Sequence, residues 1–180
     1  MRSWHMLALL ALVPAVATAD VQTGASGFVV KHEATLDAPP ARVYEALVDQ
    51  VGSWWNPSHT YSNDSGNLSL DARPGGCFCE RFPNGGGVEH LRVVYVAPGR
   101  ELRLSGALGP LQMSGLAGSL RWRLSDAAGG TKLELTYSVG GFMEGGFAQI
   151  APPVEATLAD QLGRLVRFVT TGAPTADAAD

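Results

Sequence analysis

Pro74–His90, PGGCFCERFPNGGGVEH, brings two thiols, two carboxylates, a guanidinium and an imidazole into one short span around a turn. Such a set could hold a metal, close a disulfide or form part of a pocket wall. Cys77 and Cys79 are two apart, so in a strand both point to one face while Phe78 and Glu80 point to the other. The register across Asn84–Gly87 then decides which face is inward. With Phe82 opposite Val88, Cys79 faces Leu91, Cys77 faces Val93 and Arg81 faces Glu89. The cysteines would then share the concave side with Leu91, Val93 and Tyr95, and Glu80 would pair with His90 on the outside. A metal site needs three or four ligands, and C-x-C with His90 on the opposite face supplies two, so no metal is expected. Parallel side chains in a flat strand oppose a Cys77–Cys79 bridge, although a kink at Gly75 or Gly76 would permit one. The spacing favours two buried thiols acting as small apolar residues.

Glu89 is the strongest single candidate for acid–base chemistry, since a carboxylate in an apolar cavity has a raised pKa; its alternative is an ion pair with Arg81. His59 and Tyr61, in NPSHTYSND after Trp54 and Trp55, could sit at a cavity mouth, His59 as a second acid or base, or could belong to a solvated turn. His32 points inward by parity as a core histidine, and Arg73 braces the turn after it. The sequence contains no G-x-S-x-G, no H-E-x-x-H, no phosphate loop and no dinucleotide fingerprint, so no cofactor is expected and no catalytic mechanism is declared.

The frame around these residues begins with a leader. Met1–His5 carries one arginine, MLALLALVPAV is uncharged and too short to span a bilayer, and Ala17–Ala19 completes an A-x-A site, which reads as a signal peptide over residues 1–19 and predicts a periplasmic or secreted protein. No later run is apolar enough for a membrane helix, so an integral membrane protein is not expected. The 180 residues carry a formal net charge of −4 and no Lys/Arg cluster, which argues against nucleic acid as a partner.

After a polar linker, 20–26, GFVVKHEATL alternates as a strand. DAPPARVYEALVD forms a short helix with proline at its start, and a second short helix carries Trp54 and Trp55. Six further strands are predicted at Asn67–Ala72, Cys77–Phe82, Val88–Val96, Glu101–Ser105, Ser119–Ser125 and Thr131–Val139, with turns in the gaps. Phe147–Thr170 is a long amphipathic helix, and 172–180 is a flexible tail. The fold class is α+β: a curved antiparallel sheet of about seven strands around a C-terminal helix, with two short helices after the first strand and one domain over 27–171. The sheet's concave side leaves room for a ligand. Trp54, Trp55, Tyr61, Trp122 and Tyr137 are candidates for its lining. Gly106–Gly118 and Val139–Phe147 read as glycine-rich gates carrying Leu108, Met113, Phe142 and Met143.

APPARVYEALVD…WW, LDARPGGCF, VVYVAPGRELRLS and the closing helix together resemble the START-like, helix-grip (SRPBCC) superfamily. The branch most similar is that of activators of the heat-shock protein 90 ATPase and polyketide cyclase-like proteins. The resemblance spans about Phe28 to Val169 and implies fold more sharply than activity. It implies first a binder of a small hydrophobic or aromatic molecule. The alternatives are a cyclase, dehydratase or hydrolase using Glu89 or His59, and a chaperone-activator-like interaction protein whose protein partner the sequence does not name. An exported chain stands apart from the cytosol in which those activators work.

Overall fold

The computed structural model describes residues 18–175. Most of the expected leader, residues 1–17, and the last tail residues, 176–180, lie outside the described residues. Eight strands form one antiparallel sheet: β1 (Thr18–Gly24), β2 (Gly27–Leu36), β3 (Leu68–Leu70), β4 (Cys77–Arg81), β5 (Gly87–Ala97), β6 (Glu101–Ser105), β7 (Ala117–Ala127) and β8 (Gly130–Gly140). Their order is β1-β2-β8-β7-β6-β5-β4-β3. Helices α1 (Pro40–Asp49) and α2 (Val51–Trp54) carry the chain from β2 to the far edge, and it then walks back by hairpins until β8 closes against β2.

The seven expected strands are all present, and the eighth, β1, takes the last two residues of the expected leader and most of the segment read as a linker. Residues 20–24 of β1 are exposed, so β1 has no apolar alternation to betray it and is held by backbone pairing, with Asp20 opposite Lys31 and Gly24 opposite Gly27.

The long helix α3 (Ala151–Thr171) lies on the inner face of the sheet. Leu158, Leu162 and Leu165 bury one stripe of it. They share one buried core with inward residues of β2, β6, β7 and β8, among them Val30, Leu104, Trp122 and Leu135. Gly172 ends the helix in the left-handed region at φ 82°, its N–H bonded to the Phe168 carbonyl, a conformation that glycine adopts without steric cost. The tail's first residues stay tied to the helix, because Arg167 Nε donates to the Pro174 carbonyl at 2.8 Å. Trp54 plugs the end beneath α1, with its indole N–H on the Ala46 carbonyl at 2.8 Å and its ring edge-on to Trp122.

Two irregularities in β5 decide what faces inward. Cys79 pairs with Glu89 and Phe78 with Leu91, so His90 is an extra residue; the neighbours His90 and Leu91 are consequently both buried. Val93 then pairs with Leu104 and Tyr95 with Arg103, so Val94 is extra, and Val94 and Tyr95 both turn outward. The expected unbroken register is corrected accordingly. Cys77 and Cys79 face outward, opposite Arg92 and Glu89, and they form a disulfide with Cα atoms 5.4 Å apart. The buried-thiol reading is therefore overturned. Phe78 and Glu80 take the inward positions.

Candidate functional site: a cavity at the start of the long helix

A cavity of about 400 Å³ opens at the N-terminal end of α3. The helix side supplies Ile150, Pro153, Val154, Thr157 and Leu158, spaced to occupy one face. Leu108–Leu111 forms a second wall, in and just before the short 3-10 turn Gly109–Ser114. Trp55 and Ser58–Tyr61 form the third. His90 is the one strand residue in the lining, and the first β5 bulge puts it there.

The Leu108 wall is braced from below. Tyr137 is fully buried, its hydroxyl accepts the Leu108 N–H at 2.8 Å, and burial pushes its phenol up to about 12, so it stays neutral. Gln112 Nε2 donates to the carbonyls of Glu89 and His90, which fastens the same turn to the bulge.

Behind His90 stands a buried carboxylate. Glu80 accepts from His90 Nε2 at 3.0 Å and from the backbone N–H groups of Tyr61 at 3.1 Å and Ser62 at 2.6 Å. The two donors are successive N–H groups of one loop, in which Asn63, the next residue, takes the left-handed conformation, φ 56°, that asparagine tolerates. Burial alone would raise the Glu80 pKa, but the hydrogen bonds from Ser62, Tyr61 and His90 outweigh it and hold the carboxyl below its ordinary value. Burial lowers the His90 pKa, with Glu80 opposing. The pair is thus a carboxylate beside a neutral imidazole, and Nε2 carries the proton. Tyr61 stacks on the His90 ring at 6.0 Å between centroids, and Phe78 packs against it at 5.0 Å.

His59 has a different support. The Gln161 side chain, fully buried on α3, accepts the Asn56 backbone N–H at its oxygen, 2.9 Å. Its amide nitrogen therefore faces His59 Nδ1, 2.8 Å away. Since a backbone N–H can only donate, the Gln161 orientation is fixed, and His59 Nδ1 must be the acceptor.

Of the residues singled out from sequence, His59, Tyr61, Trp55 and Leu108 line this cavity. Trp54, Leu91, Val93, Trp122 and Tyr137 are core rather than lining. Tyr95, 41 % exposed, lies beneath the Arg103 guanidinium on the outer face. Met113 and Phe142 are 85 % and 83 % exposed, since the 3-10 turn and the Gly140–Gly146 loop point them away from the sheet. Phe142 and Met143 border a separate, more open depression. Glu89 is exposed and paired with Arg92, three residues along, instead of Arg81, and is not among the residues that line the cavity. Arg73 pairs with Asp71 at 2.8 Å on the exposed surface before its turn. His32 is buried, with Nε2 3.4 Å from Glu155. Among the described residues no three His, Cys, Asp or Glu side chains gather as a metal site, and no helix is long and apolar enough to cross a membrane.

Sequence reasoning missed Glu80, His90 and Gln161 as site residues. A trace of His90 was present: in VEHLRVVYV the aliphatic residues fall at 88, 91, 93, 94 and 96, a spacing that breaks the period of two at each bulge. Gln161 carried a local signal that went unread, a polar residue between Leu158 and Leu165 on the apolar stripe of the helix.

Residues 27–170 match the family described as polyketide cyclase / dehydrase and lipid transport. The chain belongs to that family. Among solved structures, CalU16 from Micromonospora echinospora is 18% identical with a TM-score of 0.59, covering 88% of each chain. The Aha1 dimer from Colwellia psychrerythraea is 20% identical with a TM-score of 0.60, over 80% of this chain and 97% of that one. A conserved protein, EF2215 from Enterococcus faecalis, is 16% identical with a TM-score of 0.62, over 89% and 80%. At these identities the likeness concerns the fold. No curated protein matches the sequence. These proteins share the sheet-and-helix frame, while the cavity chemistry here rests on this chain's own residues.

Proposed function

We propose that this family member is an exported protein that binds a small hydrophobic or aromatic molecule in the cavity at the start of α3. The observation that carries the reading is the cavity: about 400 Å³, walled by Trp55, Leu108, Leu111, Ile150, Val154 and Leu158, with its few polar groups gathered around His59 and His90. That composition, mostly apolar walls with a small set of convergent polar groups, is what small-molecule sites require. Export is supported by the leader pattern and by an outward-facing disulfide, a bond that persists in oxidising compartments.

A thermal-shift and native mass screen of the delipidated protein against polycyclic aromatics and lipids tests the binding. A ligand at a hundred times its Kd adds about 2.7 kcal/mol of stability, a shift of several degrees for a domain of this size. A panel in which nothing shifts the midpoint, or in which Val154→Trp leaves every shift intact, counts against the cavity as the site. Expression of the full chain with fractionation and N-terminal sequencing tests export; a cytoplasmic protein that keeps Met1 sinks it.

A second reading, acid–base catalysis on the bound molecule, is favoured by the imidazole–carboxylate pair of His90 and Glu80 at the wall, in place of Glu89. Mass analysis of the same panel after incubation would reveal turnover. A product formed equally by His90→Phe would remove the pair from any such role.

A further inference from the structure

We infer that the two cavity histidines are held in fixed and opposite hydrogen-bonding roles, so that His90 accepts and His59 donates, and that the preferred ligand is a neutral hydroxyl-bearing molecule with a carbonyl-type acceptor and not a carboxylate. This rests on the binding reading above and adds the polar chemistry of the ligand.

The argument is one of valence. Ionised Glu80 has no proton to give, so the His90 nitrogen facing it, Nε2 at 3.0 Å, is the donor. The His90 ring is buried between Phe78 and Tyr61, an apolar setting that favours the neutral imidazole at neutral pH, so the opposite nitrogen, Nδ1, is unprotonated, and no hydrogen bond from the described residues reaches it. Around His59 the order is reversed. Gln161, its oxygen committed to the Asn56 N–H, turns its NH₂ to His59 Nδ1, which leaves the proton on Nε2. Both histidines line the same cavity. Neither locking group is free to change partners: Glu80 is also held by two backbone N–H groups, and Gln161 has no exposed surface.

A ligand hydroxyl can therefore donate to His90 Nδ1, and a ligand carbonyl can accept from His59 Nε2–H. A carboxylate fares worse at the His90 side, because it brings a lone pair to a lone pair with the Glu80 charge directly behind. In an apolar cavity an unmatched acceptor is costly, which turns these two atoms into a selection rule.

The experiment uses a matched set: 2-methylnaphthalene, 2-naphthol, 2-naphthoate and 2-acetonaphthone, titrated against Trp fluorescence of the native protein. The naphthol and the acetonaphthone should each bind about fivefold or more tightly than the hydrocarbon, the scale of one hydrogen bond, and the naphthoate no more tightly. His90→Phe should abolish the naphthol advantage and spare that of the acetonaphthone; His59→Phe should do the reverse. Long-range ¹H–¹⁵N spectra of the unmutated protein read the tautomers directly, independent of whether a variant folds. Binding of none of the four defeats the binding reading itself. Binding of all four alike, tightest binding of the naphthoate, or a spectrum showing Nδ1–H on His90 leaves that reading in place and overturns the selection rule.

Discussion

His90 donates from Nε2 to the Glu80 carboxylate across 3.0 Å, and both side chains are buried, at 6 % and 1 % exposure. The contact exists because β5 carries an extra residue at His90 while β4 keeps its in-and-out alternation, so that a residue strict alternation would turn outward comes in beside the carboxylate. Glu80 ties three elements together: its own strand, the His90 bulge and the Tyr61–Ser62 loop that forms one cavity wall.

Removing that carboxylate should therefore be severe. Glu80→Ala strands two backbone donors and an imidazole N–H, and breaking a buried pair from one side costs about 3–5 kcal/mol. Urea denaturation measures it. A loss below about 1 kcal/mol would mean that water replaces the carboxylate without penalty.

Acid should weaken the fold in two stages. His90 has its folded pKa below the ordinary 6.5, so the unfolded chain takes up that proton first, and stability drops as the pH falls from 6.5 towards the folded value. Glu80 has its folded pKa below the ordinary 4.5, so its contribution is complete above 4.5 and is lost as the pH falls through the folded value. Denaturation midpoints followed from neutral pH downward should decline in both windows, and His90→Phe should flatten the upper one. An upper slope unchanged by that substitution would place its origin elsewhere.

The disulfide makes a different prediction from buried thiols. Without reductant, the unfolded protein should show no reactive thiol, and after reduction two. Since the bridge closes a ring over a single intervening residue, its entropic contribution is on the order of 1.5 kcal/mol. In reductant, Cys79→Phe and Cys79→Ser should stay within about 0.5 kcal/mol of the parent because the site faces outward. Phe78→Ala, one residue away and inward, should cost about 3–5 kcal/mol. Equal costs at 78 and 79 would contradict the register.

Glu89→Gln separates the exposed carboxylate from the buried one. It removes an exposed ion pair with Arg92, so stability should change by less than about 0.5 kcal/mol, and the binding of aromatic probes should not change. Lost binding would return Glu89 to the site.

The sequence by itself determined the frame. Alternation in residues 120–124 and 133–139, the three-and-four spacing of Leu158, Leu162 and Leu165, and prolines at the start of α1 are local signals, each written into consecutive residues. The family resemblance extended that frame to the order of the elements. Only the tertiary structure decided the site. Residues 20–24 of β1 are exposed and held by backbone pairing, so they carry no apolar pattern. Two single-residue bulges reversed the faces of Cys77, Cys79, His90 and Tyr95, because with a period of two one extra residue exchanges inside for outside. The partnership of His59 with Gln161 spans 102 positions and depends on where α3 comes to rest, which no local run of residues encodes.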